Sequence, residues 1–397
     1  MITWQRLLLM SEWVNTKLGE IATFRTGKLN SNAATQDGEY PFFTCSPITA
    51  KIDSFAFDEE ALLLAGNNAN GIFSLKYYKG KFNAYQRTYL INTVISDYKF
   101  LFYSLKLQLS NLANISQGTA TKFLTMPILN NIELLLPPIK EQKAIAEVLS
   151  SLDDKIDLLH RQNKTLEELA QTLFRQWFIE EAKDEWEVCK LEDIAVIQNG
   201  FAFSSKHYVE EETEHLEVLK MGHIERGGGL KLNPKKDFVP REEKLEKYIL
   251  NKNDIVLAMT DMKDNVVILG VPAIIDKSDK YVLNQRVARI YLKSNDKLLN
   301  SYLLYIQLKD PEFIALLQST ANSGVQVNLS TASIRESEVF VPPMNLQKTK
   351  GQDITDLYLK KENNDLQIKT LENMRDILLP KLMSGEVKVK MNGDKYA

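Results

Sequence analysis

The stretch Trp13-Val-Asn-Thr-Lys-Leu-Gly-Glu-Ile-Ala22 decides the organisation of this chain, because its framework occurs twice. The tryptophan, leucine, isoleucine and alanine return in Trp186-Glu-Val-Cys-Lys-Leu-Glu-Asp-Ile-Ala195, all at one constant displacement along the chain. Gly27 returns at the same displacement as Gly200. A displacement that so many positions share is the signature of an internal repeat.

A second pair of blocks repeats at a larger displacement. Pro137-Pro138 returns as Pro342-Pro343, and Lys164-Thr-Leu-Glu167 returns as Lys369-Thr-Leu-Glu372, both at the same distance along the chain. Because this displacement exceeds the first, the second copy must carry an insertion between its two blocks. Each half is therefore predicted to be a variable globular region followed by a fixed segment, as in a protein that recognises two different things with one scaffold.

These blocks set the predicted domain boundaries. Residues 1–136 and 182–341 are predicted to be the two variable domains, 137–181 and 342–386 the two fixed helices, and 387–397 a tail. Residues 1–9 precede the first repeated block, and we expect them to be a disordered stretch or the product of an upstream start codon.

Composition favours a globular protein without membrane spans. The hydrophobic share is 44% and the charged share 25%, and the sequence has no continuous apolar run long enough to span a bilayer. Two cysteines and four scattered histidines form no cluster with metal-ligand spacing. We therefore expect a cytoplasmic protein without a metal site.

Charge neither favours nor excludes a nucleic-acid partner. The net charge is −3, with net +2 over residues 1–136 and net −4 over residues 182–341. Neither variable domain is the basic block that alone predicts DNA binding. Much of the acid in the second domain lies in residues 210–217, which can face solvent away from a ligand.

The first fixed segment has the pattern of a coiled-coil helix. Apolar residues recur at alternating steps of four and three, and about 40 residues at about 1.5 Å each would form a rod of about 60 Å. The second segment continues the pattern with Lys361, Asn364 and Arg375 among its seam positions. We interpret the two helices as an antiparallel spacer, although long amphipathic helices often belong to an ordinary core. The predicted spacer seam comprises Ile145, Leu149, Leu152, Ile156, Leu159, Asn163, Leu166, Leu173, Leu371 and Leu378.

The polar residue on this seam, Asn163, has two interpretations. It is either a partly exposed position or a buried amide that sets the register of the helix pair. The sequence leaves both open.

The variable domains are predicted to be mixed α+β. Residues 89–95, 254–259 and 286–292 have the short apolar or alternating runs of strands. Residues 97–114 and 297–318 are predicted to be helical, with Pro311 at a break or a helix start.

Sequence motifs for catalysis are missing from the chain. It contains no GxxxxGK[ST], GxGxxG, GxSxG or HExxH element. A residue that performs chemistry in both halves should recur in both, and no His, Cys, Asp or Glu does so convincingly. The chain is therefore predicted to recognise a ligand rather than to catalyse a reaction.

Two polar features do recur. A loop before each fixed helix, 117–124 and 323–330, carries glycine with hydrogen-bond donors that suit phosphates and base edges, although it can also be an ordinary solvated loop. Gln86-Arg87 and Gln285-Arg286 each open a predicted strand, as base readers or as a structural ion pair or cap. The candidate DNA-binding residues are Lys28, Gln86, Arg87, Gln117, Thr119, Thr121, Lys122, Lys206, Lys220, Gln285, Arg286, Gln326 and Asn328.

The complete order of blocks resembles the specificity subunit of type I restriction–modification systems. The resemblance rests on the repeated Trp-x4-Leu-x2-Ile-Ala block, on Pro137-Pro-Ile-Lys-Glu-Gln142 before a heptad helix, and on the ending Leu378-Leu-Pro-Lys-Leu-Met-Ser-Gly-Glu386. The second block, Pro342-Pro-Met-Asn-Leu-Gln347, departs by having Leu346 where the first has Glu141.

This resemblance implies a non-catalytic protein whose two variable regions are target recognition domains for double-stranded DNA. It also implies paired helices that set the spacing of a bipartite asymmetric target and dock two methyltransferase subunits, with restriction/translocase subunits joining in the full complex. No cofactor is expected on this chain, because the methyl donor and ATP would bind the partner subunits. The alternatives are a coiled-coil adaptor that does not read DNA and the specificity subunit of a related methyltransferase-only system.

Overall fold

A computed structural model describes the chain over residues 12–68, 73–116, 122–181, 186–262, 266–293, 300–323 and 326–390. These residues form two compact units. Unit 1 contains the described residues up to Leu159 and those from Gln367 onward, and unit 2 contains those from His160 to Leu366. Both units combine sheets with helices, which confirms the predicted α+β class.

Unit 1 is built on a six-stranded sheet of order β2-β8-β5-β7-β3-β4, with two further pairs, β1-β10 and β6-β9. Its strands are β1 (Val14–Lys17), β2 (Ala22–Thr26), β3 (Tyr40–Phe43), β4 (Ala50–Ile52), β5 (Phe57–Ala65), β6 (Asn67–Asn68), β7 (Leu75–Ala84), β8 (Thr88–Thr93), β9 (Lys122–Phe123) and β10 (Glu133–Leu136). Its shorter helices are α1 (Leu18–Ile21), α2 (Tyr98–Ile115) and α3 (Met126–Asn130). The main core includes Phe100 and Leu101 of α2 together with Leu62 and Leu64 of β5.

Unit 2 repeats this plan with more sheets. Its strands are β11 (Glu187–Lys190), β12 (Ala195–Asn199), β13 (Leu216–Leu219), β14 (Phe238–Val239), β15 (Ile255–Ala258), β16 (Thr260–Met262), β17 (Pro272–Ile274), β18 (Tyr281–Leu283), β19 (Val287–Leu292), β20 (Asn322–Ser323), β21 (Gln326–Asn328) and β22 (Glu338–Val341). They form the sheets β12-β19-β15-β17, β14-β13-β18, β16-β21-β20 and β11-β22. The segment between β12 and β15 is longer than its counterpart between β2 and β5, and it supplies β13 and β14.

The repeated blocks form the same structure in both units. The order β1-α1-β2 in unit 1 returns as β11, α5 (Leu191–Ile194) and β12 in unit 2, at the displacement that relates Trp13 to Trp186. β1 pairs antiparallel with β10, and β11 pairs antiparallel with β22, just ahead of each Pro-Pro pair. In each copy, the first repeated block is therefore hydrogen-bonded to the strand that leads into the Pro-Pro pair.

The predicted strands and helices are largely present. The three predicted strands correspond to β8, β15 and β19, and α2 begins after Asp97, whose carboxylate accepts from the backbone N–H of Phe100 over 2.9 Å. The second predicted helix is two helices, α6 (Ser301–Leu308) and α7 (Pro311–Ser319), so Pro311 marks a helix start. Residues 294–299 lie outside the described part. The last short helix of this domain is α8 (Thr331–Glu336).

The fixed segments are long helices that belong to both units. α4 (Ile139–Arg175) begins directly after Pro138 and continues into a π-helical turn, Gln176–Glu180. The second segment, predicted as one helix, contains two, α9 (Met344–Lys348) and α10 (Lys350–Met383). Thr349 separates them with a non-helical backbone, at φ −104° and ψ −87°, and its hydroxyl donates to the Asn345 carbonyl over 2.9 Å.

Within each unit the two long helices pack antiparallel. In unit 1, Ile145 and Leu149 share a core with Leu379 and Leu382, whereas Ile156 and Leu159 pack with Ile368. In unit 2, Ala170 and Phe174 share a core with Ile354 and Tyr358. The remaining predicted seam residues are half-buried: Leu152, Leu166, Leu173, Leu371 and Leu378.

The polar seam residues are paired. Asn163 is buried, at 6% exposure, and its Oδ1 accepts from Nδ2 of Asn364 over 2.9 Å. Its own Nδ2 donates to Asp365 over 2.7 Å. Of the two interpretations of Asn163, the structure has the buried amide, while its register-setting role stays a prediction. In unit 1, Arg375 donates to Asp153 over 2.9 Å.

Candidate nucleic-acid interface

Each unit exposes a Gln-Arg turn at the same place in its sheet. Gln86-Arg87 lies directly before β8 and Gln285-Arg286 directly before β19, and all four side chains are exposed. The sequence left open whether these pairs are base readers or structural ion pairs. Neither arginine forms an ion pair with any residue that the structure describes, so within that part both guanidinium groups are available to an external partner.

The repeated glycines allow the backbone to approach these turns. A Cβ on Gly27 would lie 1.7 Å from the carbonyl oxygen of Ala84, and one on Gly200 would lie 2.2 Å from that of Asn284. Approach this close excludes any side chain. Just after each glycine, a carbonyl accepts from the backbone N–H of the turn glutamine, over 2.9 Å in unit 1 and 3.0 Å in unit 2.

In unit 1 the described end of the predicted polar loop, residues 122–124, lies beside the turn. The carbonyl of Arg87 accepts from the N–H of Gly66 over 2.8 Å, and the carbonyl of Gly66 accepts from the N–H of Leu124 over 2.9 Å. The turn and β9 thus share one backbone network, although they are far apart in the sequence. We define patch 1 as Lys28, Gln86, Arg87, Lys122 and Phe123.

Unit 2 has the same network. The carbonyl of Arg286 accepts from Met259 over 3.0 Å, and the carbonyl of Met259 accepts from Leu329 over 2.8 Å. β21 therefore lies beside the second Gln-Arg turn as β9 lies beside the first. We define patch 2 as Gln285, Arg286, Gln326 and Asn328. The Gln-Arg pair and the described end of the polar loop, which recur as separate features in the sequence, are therefore adjacent in both units.

Strand pairing shows which residues of the two loops are equivalent. Asn67 pairs with Phe123 in unit 1, and the equivalent pair in unit 2 is Thr260 with Asn328. Phe123 therefore corresponds to Asn328, and Lys122 corresponds to the buried Val327. Hydrogen-bonded register, rather than residue type, determines which residues are equivalent in paired strands.

The exposed side chains of patch 1 are held by neighbours. The guanidinium carbon of Arg87 lies 5.8 Å from the ring centre of Phe123, within cation–π range. Gln86 donates from Nε2 to Oδ1 of Asn30 over 2.8 Å. Lys122 is half-buried, and Lys28 is exposed.

Patch 2 is organised around amides. The hydroxyl of Thr260 donates to Oδ1 of Asn328 over 2.9 Å, and Nδ2 of Asn328 donates to the backbone carbonyl of Gln326 over 3.2 Å. The next residue of β16, Asp261, accepts from the N–H groups of residues 262 and 267–269. Burial alone would raise the pKa of Asp261, but these backbone donors hold it below its usual value. The carboxylate therefore stays ionised and fixes the backbone beside patch 2.

The other predicted lysines lie outside the two patches. Lys206 is exposed in the 3₁₀ turn Ser205–His207. Lys220 forms an ion pair with Asp237 at 2.6 Å and lies 4.2 Å from the ring centre of Tyr208. Burial would lower the pKa of Lys220, but the hydrogen bond to Asp237 raises it above its usual value, so a phosphate would have to compete with Asp237. The three predictions at Gln117, Thr119 and Thr121 lie outside the described residues.

Sequence reasoning missed Phe123 and Asn30. Phe123 lies inside the predicted polar loop 117–124, and an exposed aromatic residue next to a basic residue is a usable signal of nucleic-acid binding. Asn30 carried no such signal, because its contact with Gln86 joins residues 56 positions apart.

Among the exposed apolar residues of the long helices, one pair occupies equivalent positions of the repeat. Leu169 on α4 and Met374 on α10 are 43% and 46% exposed. Each follows a repeated Lys-Thr-Leu-Glu block by the same number of positions. An exposed apolar side chain repeated in this way suits a partner that binds twice.

Within the described ranges, no cluster of three or more His, Cys, Asp or Glu residues could hold a metal ion. Over the same ranges, no helix is long and apolar enough to cross a membrane.

Comparison with known families identifies the fold and its function class. The family model of the type I restriction modification DNA specificity domain matches residues 10–168 and again 183–373, covering both patches. The chain belongs to this family. Its function is therefore recognition of DNA in a type I restriction–modification system.

Relatives agree with this assignment. The chain is 40% identical over 167 residues to the EcoDI specificity subunit of Escherichia coli, a match that spans 42% of this chain and 36% of that subunit. It is 27% identical to the MjaVIII specificity subunit of Methanocaldococcus jannaschii, across 97% of this chain and 95% of that one. The crystal structure of the S subunit from M. genitalium superposes with a TM-score of 0.63 at 19% identity, covering 94% of this chain and 97% of that one, and supports the fold.

Proposed function

We propose that this chain is a non-catalytic subunit that reads a bipartite, asymmetric DNA target, with patch 1 contacting one half-site and patch 2 the other. The observation that supports the proposal is that both units have the same backbone hydrogen-bond network, and that this network carries different side chains at equivalent positions. A shared framework orients both patches alike, while unlike side chains select unlike bases.

The chemistry of the patches suits a DNA groove. Arg87 and Arg286 are exposed and form no ion pair within the described residues, and arginine binds guanine through two parallel hydrogen bonds. Gln86 and Gln285 present amides that suit adenine. Because the net charge of the chain is −3, we expect partner subunits to supply many phosphate contacts.

The proposed partners are two methyltransferase subunits, joined by restriction/translocase subunits in the full complex. Leu169 and Met374 are candidate anchors, since one anchor at the same position in each repeat matches two copies of one partner. The methyl donor and ATP would bind those partners rather than this chain. The paired helices would set the gap between half-sites, and the assembly would act in the cytoplasm, where the DNA is.

Selection of targets from a randomised duplex library tests the reading function. The full chain, co-expressed with its methyltransferase, should select two short half-sites separated by an unread gap. Arg87→Ala should relax one position of the first half-site, and Arg286→Ala one position of the second, with about 1–3 kcal/mol lost at each. Arg226→Ala, an exposed arginine of unit 2 outside patch 2, is the matched control. Selection of no sequence at all would favour the adaptor alternative.

A further inference from the structure

The two readers differ in how firmly their side chains are held. In patch 1, Phe123 lies under the guanidinium of Arg87, and Asn30 accepts a hydrogen bond from Gln86. Phe123 and Asn30 both lie in other parts of the chain than the Gln-Arg turn that they contact. A side chain held in this way loses less conformational freedom when it meets a base.

Among the described residues of unit 2, no aromatic ring lies against Arg286 and no side chain accepts a hydrogen bond from Gln285. Strand register puts Asn328 at the position of Phe123, and its amide is engaged by Thr260 and the backbone of Gln326. The carbonyl of Phe201 accepts from the backbone N–H of the second turn, as the carbonyl of Leu29 does from that of the first. The next residue is Ala202 in unit 2 and Asn30 in unit 1, so these two positions are equivalent. Alanine offers no hydrogen-bond acceptor on its side chain.

We propose that Phe123 and Asn30 are positioning residues that orient Arg87 and Gln86 for the first half-site, whereas Gln285 and Arg286 adapt to the second. This inference rests on the proposed reading function. An oriented guanidinium cannot turn to find other acceptors when the wrong base is present, so mismatches leave it unpaired. The first half-site is therefore read more strictly because of Phe123 and Asn30, neither of which needs to touch a base.

Competition binding with the full chain and its co-expressed methyltransferase tests the proposal. The probes are the selected duplex and its single-base variants at every position of both half-sites. Phe123→Ala should reduce discrimination about two- to fivefold at the position that Arg87→Ala relaxes, and leave the second half-site unchanged. Phe123→Tyr, which keeps the ring, should restore it. Asn30→Ala should act in the same way at the position read by Gln86, and Asn30→Asp, which keeps the acceptor, should restore discrimination there.

The outcomes separate this inference from the proposed function. If Arg87→Ala relaxes a position but Phe123→Ala does not, the positioning role is wrong and the reading function stands. A uniform loss of affinity with unchanged discrimination in Phe123→Ala would mean that the ring stacks on the DNA itself, which also overturns positioning. If Arg87→Ala changes no position, patch 1 is not a reader and the proposed function fails there. Because Phe123 is only 37% exposed, thermal unfolding is measured for Phe123→Ala and Phe123→Tyr, and binding is compared at a temperature at which both variants are folded.

Discussion

The buried amide pair between the long helices provides a quantitative test of how they hold their register. Asn364 is 1% exposed, and its Nδ2 donates to Asn163, whose own amide donates to Asp365. Asn163→Leu removes both contacts at once. It leaves Asn364 with a buried donor that no longer has an acceptor.

The magnitude follows from these contacts. An unsatisfied buried donor costs about 1–3 kcal/mol, and loss of a hydrogen bond to a carboxylate costs about 1.5–3 kcal/mol. The added apolar burial of leucine offsets part of this, so we expect Asn163→Leu to lower the free energy of unfolding by about 2–4 kcal/mol. Replacing both partners removes the orphaned donor, so the double variant Asn163→Leu/Asn364→Leu should be about 1–2 kcal/mol more stable than the single variants predict by addition.

Urea unfolding of the full chain, followed by tryptophan fluorescence and circular dichroism, measures this coupling. Gln162→Leu is the matched control, because Gln162 is the exposed neighbour of Asn163 and should change stability by less than about 0.5 kcal/mol. A double variant whose loss equals the sum of the two singles would refute the pairing. If the pair sets register, the double variant should also select targets with more than one gap length.

Three further predictions concern spacing, contact and pH. One heptad inserted after Leu166 on α4, with a matching heptad after Lys360 on α10, should lengthen the gap by about three base pairs. Methylome sequencing should show both half-sites unchanged. Altered half-sites with an unchanged gap would show that the helices do not set the spacing. Lys122→Ala should weaken DNA binding without impairing assembly with the methyltransferase in pull-down experiments. A phosphate role predicts uniform loss and a shallower salt dependence, and a base role predicts about 1–3 kcal/mol of relaxed choice at one position; normal DNA binding with failed assembly would contradict both. Burial alone would raise the pKa of Glu217, but its hydrogen bond to His223, at 3.1 Å, and a nearby lysine lower this pKa below the usual 4.5. The stability that ionised Glu217 contributes should therefore be present above pH 4.5 and lost as the pH falls further. The difference in urea stability between the wild type and Glu217→Gln should therefore shrink below pH 4.5, and a constant difference would disprove the linkage.

The sequence alone determined the repeat, the fold class and the family. Two constant displacements, from Trp13 to Trp186 and from Pro137 to Pro342, identified two copies. The first displacement is visible because Leu18 and Ile21, and their counterparts Leu191 and Ile194, are buried at the same places in both units. Heptad periodicity identified the long helices, since apolar spacing along a helix is a local property. Pro311 marked a helix start for the same local reason.

Only the tertiary structure decided which residues share a site. The Gln-Arg turns and the polar loops were separate features in sequence, and backbone hydrogen bonds through Gly66 and Met259 make the turns neighbours of the described ends of the loops. The equivalence of Phe123 with Asn328 follows from strand register, which depends on hydrogen-bonded partners distant in the chain. The partner of Asn163 was likewise open, because a seam identifies the buried face of a helix but not the residue that it meets on the other helix. Local patterns determine elements, whereas contacts between distant residues determine the patches.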